Sequence, residues 1–447
     1  MEDPICALAT PWGISAIAVI RTSGEGSIER LAKLFSHPEK LRKVPGGRIL
    51  HGFLRNTDSG EPLDEVMLAV FRSPHSYTGE DSVEIYCHGS LPGIQNILEE
   101  LRKIGFRSAD PGEFTYRAFM HGKMDLTRAE AVHEIITSRT RKAHLLALHR
   151  LEGSLETLIR ETQNALLDVQ TLIEVQLDYP EEEAPSLPLP FEKIQKARET
   201  VERLLLTYQE GKLYQEGVRV ALAGRTNTGK SSLFNLFLRE ERSIVSEIHG
   251  TTRDYIEATV SIGGIPVRLY DTAGLRGSTD PIEAEGVIRS RNLIQSCPLV
   301  LYLIDCTDPT IRDKEKEFFE GLENRIIRVY TKIDLCEGKL LPTEGIGVSA
   351  LTGEGFTQLI QEIETRLKEG VSRGDEEVII ESDRQRELLE RCKDALERFQ
   401  KGVEENLPLD LLSNDMQEAI QALGEITGEV TTEEMLSRMF SHFCVGK

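Results

Sequence analysis

The chain has 447 residues, 39% hydrophobic and 28% charged, the balance of a globular protein of roughly two to four domains. Its formal net charge of −21 excludes an autonomous nucleic-acid binder of the usual basic kind, so any service to RNA needs a basic partner or a local patch. No apolar run is long enough for a membrane span, Met1-Glu2-Asp3 carries no leader pattern, and the seven cysteines form no CxxC pair. Together these predict a cytoplasmic chain with neither zinc nor a disulfide framework.

Residues 1–118 read as an α/β domain. Ile14–Ile20, Val66–Phe71 and Ser82–Cys87 are predicted strands. Ser90 and Pro92 open a helix that runs through Lys103 and stops at Gly105. Arg21, Glu84, Arg117 and Lys123 lie around these apolar runs, and spacing alone reads them as surface charges. Residues 119–216 read as helical. Leu148, Leu151, Leu155, Leu158, Thr162, Ala165, Val169 and Leu172 recur by three and four, which predicts one stripe on one long helix. The Asp178–Glu183 stretch breaks it, and a further helix runs to about Tyr214. Residues 217–375 alternate strand and helix, with strands at Val218–Ala223, Val267–Tyr270, Leu299–Ile304, Ile326–Tyr330 and Ile346–Val348. That pattern predicts a doubly wound, mostly parallel sheet with ligands at the carboxyl ends of its strands. Helix returns in residues 376–447. Leu388, Cys392, Ala395 and Phe399 share a face, Leu411–Leu423 is a second helix, and Thr431 with Glu434 forms a capping box for a third. The fold class is therefore multidomain α/β plus α, with a nucleotide domain inserted into a helical bundle.

Gly224-Arg225-Thr226-Asn227-Thr228-Gly229-Lys230-Ser231 fits G-x-x-x-x-G-K-[ST] between a strand and a helix. The loop from Asn227 through Thr228 and Gly229 to Ser232 aims backbone N–H groups at one point, where phosphate oxygens can sit. Lys230 is placed to reach the β- and γ-phosphates, and the Ser231 hydroxyl to bind Mg²⁺. Asp271-Thr272-Ala273-Gly274 follows an apolar strand; Asp271 would hold Mg²⁺ through water and the Gly274 N–H would sense the γ-phosphate. In Thr331-Lys332-Ile333-Asp334, the Asp334 carboxylate can accept from guanine N1–H and the 2-amino group, a pair adenine lacks. The backbone of Ser349-Ala350-Leu351 can meet guanine O6. Thr252, in Gly250–Asp254, would join Mg²⁺ only when the γ-phosphate is present, as in a switch loop. In this order the motifs resemble the translation-factor-like GTPases, with GTP as substrate. Thr331 stands where that superfamily carries Asn, which ties the base loop to the phosphate loop, so weaker nucleotide binding is expected. Leu275 stands where Ras-type GTPases carry the water-orienting Gln. Glu283 is the nearest carboxylate that could take over, or it simply begins a helix. With no arginine finger in view, a monovalent cation near the phosphates could substitute. Asn227, Ser246, the Ile248 carbonyl and Thr251 are its candidate ligands.

Ser76-Tyr77-Thr78-Gly79-Glu80-Asp81, Cys87-His88-Gly89, Pro111-Gly112-Glu113-Phe114, Gly122-Lys123-Met124-Asp125-Leu126 and Cys444-Val445-Gly446-Lys447 extend the likeness to nearly the whole chain, which resembles the MnmE (TrmE) family of tRNA-modification GTPases. The resemblance implies that the N-terminal domain binds 5-formyl- or methylene-tetrahydrofolate through Arg21, Glu84, Lys123 and Lys447, in place of the surface-charge reading. It implies a homodimer, with G domains that meet when GTP and K⁺ are bound. Asn227, Ser246, Ile248 and Thr251 match the potassium ligands, and Glu283 the catalytic carboxylate. Cys444 matches a functional cysteine, against the plain alternative of a buried core thiol. An FAD-dependent MnmG-type partner would join in modifying C5 of the wobble uridine of certain tRNAs with aminomethyl or carboxymethylaminomethyl groups. His121 stands where Asn is common, and Ser246 where Thr is usual. Two other readings stay open. A ribosome-assembly GTPase of the Era or Der kind predicts a KH-like or second G domain. A folate-dependent one-carbon transferase with a regulatory G domain should act without GTP.

Overall fold

The computed structural model describes residues 3–178, 188–240, 256–271, 292–307, 323–336, 345–369 and 378–446. The chain forms two units, one of Met1–His133, Leu151–Asn164 and Ile420–Lys447, the other of Glu134–Arg150 and Ala165–Ala419.

The first unit is built on a six-stranded sheet in the order β3-β4-β5-β2-β1-β6. Its strands are β1 (Ile5–Leu8), β2 (Ser15–Ser23), β3 (Arg48–Arg55), β4 (Pro62–Phe71), β5 (Ser82–Gly89) and β6 (Arg107–Ser108). Neighbours pair antiparallel except β1 with β6. Alternation along β3 buries Leu50, Gly52 and Leu54 and exposes Ile49, His51 and Phe53, the signature of a sheet covered on one face. Helices α1 (Ser27–Leu31), α2 (Pro38–Lys43) and α3 (Leu91–Lys103) supply that cover, through a core that includes Ile20, Leu31, Leu41, Leu68, Ile85 and Ile97. The uncovered face carries Ile17, Ile49, Phe53 and Met67, all exposed. The helix expected from Pro92 to Lys103 is α3, with the Ser90 hydroxyl accepting from the Gly93 N–H. Strands β1, β3 and β6 were not anticipated; β1 is too short for a periodicity argument, and β3 carries a glycine.

Beyond the sheet, α4 (Glu113–Met120) and the start of α5 (Leu126–Thr137) pack against a late helix, Glu433–Phe440, numbered α13 below. The capping box placed at Thr431 is one residue out. Thr432 is the N-cap, and its hydroxyl accepts from the Met435 N–H. The single long helix predicted through Leu148–Leu172 is two, α6 (Arg141–Leu151) and α7 (Ser154–Asp178), because Glu152 and Gly153 form a turn. The apolar stripe continues in register across the turn, so periodicity could not reveal the break.

The second unit holds another six-stranded sheet, ordered β12-β11-β10-β7-β9-β8. These are β7 (Val218–Gly224), β8 (Ile256–Ile262), β9 (Ile265–Asp271), β10 (Leu299–Asp305), β11 (Ile326–Thr331) and β12 (Ile346–Val348). All neighbours are parallel except the β8–β9 hairpin. The parallel strands are buried on both faces, with Val220, Leu222, Leu301 and Leu303 in one core and Ala221, Ala223, Val300 and Tyr302 in the other. That double burial is why they read as unbroken apolar runs. Helices α9 (Lys230–Glu240) and α10 (Phe356–Leu367) pack on the first face, where Phe237 and Phe356 meet edge to face at 5.1 Å. The remaining helices are α8 (Phe191–Glu216), α11 (Asp383–Glu404) and α12 (Leu409–Thr427). Leu388, Cys392, Ala395 and Phe399 of α11 are buried on one face as expected. Arg150, also in this unit, is buried against Glu134 at 2.6 Å and Glu381 at 2.9 Å.

Candidate functional site

Strand β7 ends at Gly224 and α9 begins at Lys230, so the five residues between them turn the chain over the carboxyl end of the sheet. Gly224 has φ +140°, and a Cβ there would lie 2.5 Å from the Leu303 carbonyl oxygen on β10; only glycine permits that approach. The loop is knit to itself. The Thr228 hydroxyl donates to the Arg225 carbonyl at 2.8 Å, and the Lys230 ammonium donates to the Gly224 carbonyl at 2.7 Å and to that of Arg225. Asn227 sits in the left-handed region at φ 62°. Strand β9 runs beside β7 with Asp271 level with Leu222. The Ser231 hydroxyl therefore donates to the buried Asp271 carboxylate at 3.0 Å. A hydroxyl and a carboxylate side by side, next to a helix N-terminus, are hard oxygen donors of the kind Mg²⁺ takes.

The base loop leaves β11 beside the phosphate loop. The Thr331 hydroxyl lies 2.7 Å from the Thr228 carbonyl oxygen and 3.2 Å from that of Ile304, and can donate to either. The link between the two loops that Thr331 was expected to weaken is therefore present, made by a hydroxyl instead of an amide. Lys332, at φ 59°, reaches back to Asp305 at 2.5 Å. Burial alone would raise the Asp305 carboxyl, but the Lys332 ammonium and the Thr307 bonds hold it below the usual carboxylate range. Gly229, Ser232, Thr331, Lys332, Asp334, Ala350 and Leu351 line one cleft of about 340 Å³. Ser349 is buried, and its hydroxyl accepts from the Thr352 N–H at 3.2 Å. Cys306 and Cys336, at the edges of this region, are joined in a disulfide. The expectation of no disulfide fails because the partners are 30 residues apart in sequence and meet only when β10 and β11 pair.

In the first unit, Arg21 and Glu84 are cross-strand partners on β2 and β5. They form an ion pair at 2.8 Å, and the Tyr86 hydroxyl donates to the other Glu84 oxygen at 2.9 Å. Arg21 also donates to the Gly446 carbonyl at 3.2 Å and lies over the Tyr77 and Phe114 rings. Gly446, at φ +92°, approaches β1 so closely that a Cβ would sit 2.6 Å from the Leu8 carbonyl oxygen. The Cys444 carbonyl accepts from the Gly112 N–H at 3.3 Å. The Cys444 side chain is exposed, which removes the buried-thiol alternative. Lys123 is not in the Arg21–Glu84 pair; its ammonium donates to the Pro74 carbonyl at 2.9 Å. His121 donates from Nδ1 to the Thr78 carbonyl at 2.7 Å, so it fixes the same loop.

Arg117 is the residue that spacing misread. It is 2% exposed, not a surface charge. It pairs with Glu113 at 2.8 Å and Glu80 at 3.2 Å and donates to the Asp3 carbonyl at 2.8 Å. Burial would raise the Glu113 carboxyl, yet the Arg107 bond, the Asp110 N–H and Arg117 together hold it below its ordinary value. The Glu113–Arg117 spacing of four on one helix was the available signal. Glu80 stood in the Ser76–Asp81 stretch with no role assigned to it, and nothing local marked Asp305. Ser246, Ile248, Thr251, Thr252, Thr272, Ala273, Gly274, Leu275, Glu283 and Lys447 lie outside the described residues.

The parallel sheet, the glycine loop on a helix N-terminus, the Ser231–Asp271 pair and the base loop beside them define a P-loop GTPase. Family comparison extends this to the whole chain. The pattern described as the GTP-binding protein TrmE N-terminus matches residues 4–123, and that of the MnmE helical domain matches residues 126–444. The tRNA modification GTPase MnmE of Aquifex aeolicus is 41% identical, with 100% of each chain covered. Those of Treponema denticola and Borrelia recurrentis are 41% and 39% identical over 100% of this chain and 98% of theirs. Among solved structures, the G domain of the T. maritima FeoB iron transporter is similar over 33% of this chain and 98% of its own, at 27% identity and a TM-score of 0.26. The chain belongs to the MnmE family of tRNA modification GTPases. It is a GTP hydrolase that takes part in tRNA modification. The Era or Der alternative gives way, since the two family patterns account for residues 4–123 and 126–444.

Proposed function

We propose that GTP binds with its phosphates on the Gly224–Ser232 loop and its base against Asp334, and that its hydrolysis serves C5 modification of the wobble uridine in certain tRNAs. The observation that carries this reading is a cleft lined by both the phosphate loop and the base loop. The Asp334 carboxylate selects guanine through N1–H and the 2-amino group. The Lys230 ammonium exchanges the Gly224 and Arg225 carbonyls for phosphate oxygens as the nucleotide enters. Ser231 and Asp271, with Thr252, would hold Mg²⁺, which neutralises charge on the phosphates. Asn227, Ser246, Ile248 and Thr251 would hold K⁺, whose charge takes the part of an arginine finger. Leu275 cannot orient water, and Glu283 does so once a second G domain faces the first.

The partly exposed Arg21–Glu84 pair, with Arg21 resting over the half-buried Tyr77 ring and the buried Phe114 ring, suits a tetrahydrofolate one-carbon donor, with Lys123, Lys447 and Cys444 completing the set. The uncovered apolar sheet face of Ile17, Ile49, Phe53 and Met67 supports a homodimer. At a net charge of −21, an FAD-carrying MnmG-type partner supplies much of the attraction for tRNA. Among the described residues no helix is long and apolar enough to cross a membrane, and we place the reaction in the cytoplasm. Turnover in K⁺ and in Na⁺ at equal ionic strength tests the cation assignment, and equal rates would remove it. Glu283→Ala should bind GTP and hydrolyse it slowly. Mass spectrometry of wobble uridines in tRNA from cells lacking the protein tests the substrate, and unchanged uridines would sink that assignment.

A further inference from the structure

Five of the seven cysteines are unpaired, and all but Cys444 of those are buried. The bridged pair sits at the guanine end of the nucleotide cleft. Cys306 follows Asp305 at the end of β10, and Cys336 closes the 3-10 turn Ile333–Leu335 that carries Asp334. Strands β10 and β11 are already paired from Val300↔Ile326 to Asp305↔Thr331, with buried cores on both faces. The bridge is therefore not needed to hold the sheet together. What it holds is the base loop. The near end of that loop is tied three ways, by the Thr331 hydroxyl to Thr228, by Lys332 to Asp305 and by the Cys306 N–H to the Thr331 carbonyl at 3.1 Å. At the far end, among the described residues, the Cys336 N–H bonds within the turn, to Ile333 at 3.0 Å. The disulfide fastens that end to the end of β10, and Asp334 lies between the two ends.

We propose that Cys306 and Cys336 form a reversible thiol–disulfide switch that sets how firmly the guanine-reading loop is held, with a low-molecular-weight disulfide, RSSR, as its oxidant. The proposal rests on the reading of Asp334 as the guanine partner. Cys306 is half-buried and Cys336 is buried, so the Cys306 thiolate attacks first. The RS–SR bond breaks, a mixed disulfide forms on Cys306, and one RS⁻ leaves with the proton shed by that thiol. The Cys336 thiolate then attacks the Cys306 sulfur and expels the second RS⁻, which takes the second proton. The protein loses two hydrogens and two electrons, and RSSR becomes two RSH. In the dithiol form the Cys306 S–H has the Lys332 carbonyl oxygen 3.2 Å away to donate to. Reduction thus keeps the near end tied and releases the far end. A loop ordered in advance binds more tightly because less freedom is lost on binding.

The full chain, purified in dithiothreitol and then exposed to glutathione disulfide, tests this. Peptide mapping after alkylation reads the Cys306–Cys336 link, since exposed Cys444 also reacts and a bulk thiol count would not separate them. Release of a fluorescent GDP analogue reads the loop. The expected result is a Cys306–Cys336 link with release slowed about three- to tenfold, reversed by dithiothreitol and absent in Cys306→Ser and Cys336→Ser, both of which still bind GDP. The proposal is overturned if no link forms, if it forms and release is unchanged, or if the serine variants slow equally. A reduced protein that binds ADP as well as GDP would instead remove the Asp334 assignment, whatever the thiols do.

Discussion

The nucleotide cleft and the Arg21–Arg117 region of the first unit are both polar sites over a six-stranded sheet, but they are assembled differently. In the cleft, many bonds are local: Thr228 to Arg225, Lys230 to Gly224, Leu335 to Lys332. Contiguous residues fix their own backbone there, and the sheet sets the loops side by side, where a few bonds such as Thr331 to Thr228 join them. In the first unit, Arg117 gathers Asp3, Glu80 and Glu113, and Arg21 gathers Glu84 and Gly446. Apart from Glu113, four residues away on the same helix, the partners come from distant parts of the chain. A site of the first kind survives loss of one contact with its geometry nearly intact. A site of the second kind is itself part of what holds the fold.

That contrast predicts which measurement each substitution moves. Glu113→Ala takes from the buried Arg117 one of its carboxylate partners and, among the described residues, leaves it Glu80; it should cost about 3 kcal/mol of stability. Thermal denaturation would show it while guanine-nucleotide affinity stays put; a change in affinity with no loss of stability would break the comparison. Asp334→Ala should do the reverse, weakening GTP binding roughly a hundredfold through loss of two charged hydrogen bonds with the denaturation midpoint little moved. Thr331→Val removes the hydroxyl that reaches Thr228, an effect of about 1 kcal/mol, or roughly fivefold in affinity. Thr331→Asn should recover it, since an amide can make the same link. Failure of the valine variant to weaken binding would mean the other ties suffice. The smallest effect is one of pH. The folded Glu113 carboxyl lies below its ordinary value, so its contribution is fully present above the unfolded value of about 4.3 and is lost as pH falls toward the folded one. The stability gap between wild type and Glu113→Gln should therefore narrow on acidification below that value. A gap that widened would reverse the assigned sign.

The same contrast explains what the sequence disclosed. The phosphate loop was legible because G-x-x-x-x-G-K-[ST] specifies a backbone path, and the parallel strands because double burial leaves unbroken apolar runs. Arg117 was misread because its burial depends on Glu80, 37 positions away. Asp305 and the Cys306–Cys336 bridge were invisible because they need the register of β10 on β11. Of the folate candidates, Arg21 and Glu84 meet while Lys123 bonds elsewhere, a division that no linear spacing could express.

Closure of the first unit by residues far along the chain has a consequence for its biogenesis. Helix α4 packs on α13, and Gly446 settles against β1. A ribosome must therefore translate all of Ala165–Ala419 after the first sheet has emerged and before its last pieces exist. At roughly 5–20 residues per second that is a wait of about 10–50 s. Throughout it, Tyr116, Phe119 and Leu126 lack their partners from α13. In that interval these apolar side chains stay uncovered, the condition under which partly folded chains associate wrongly.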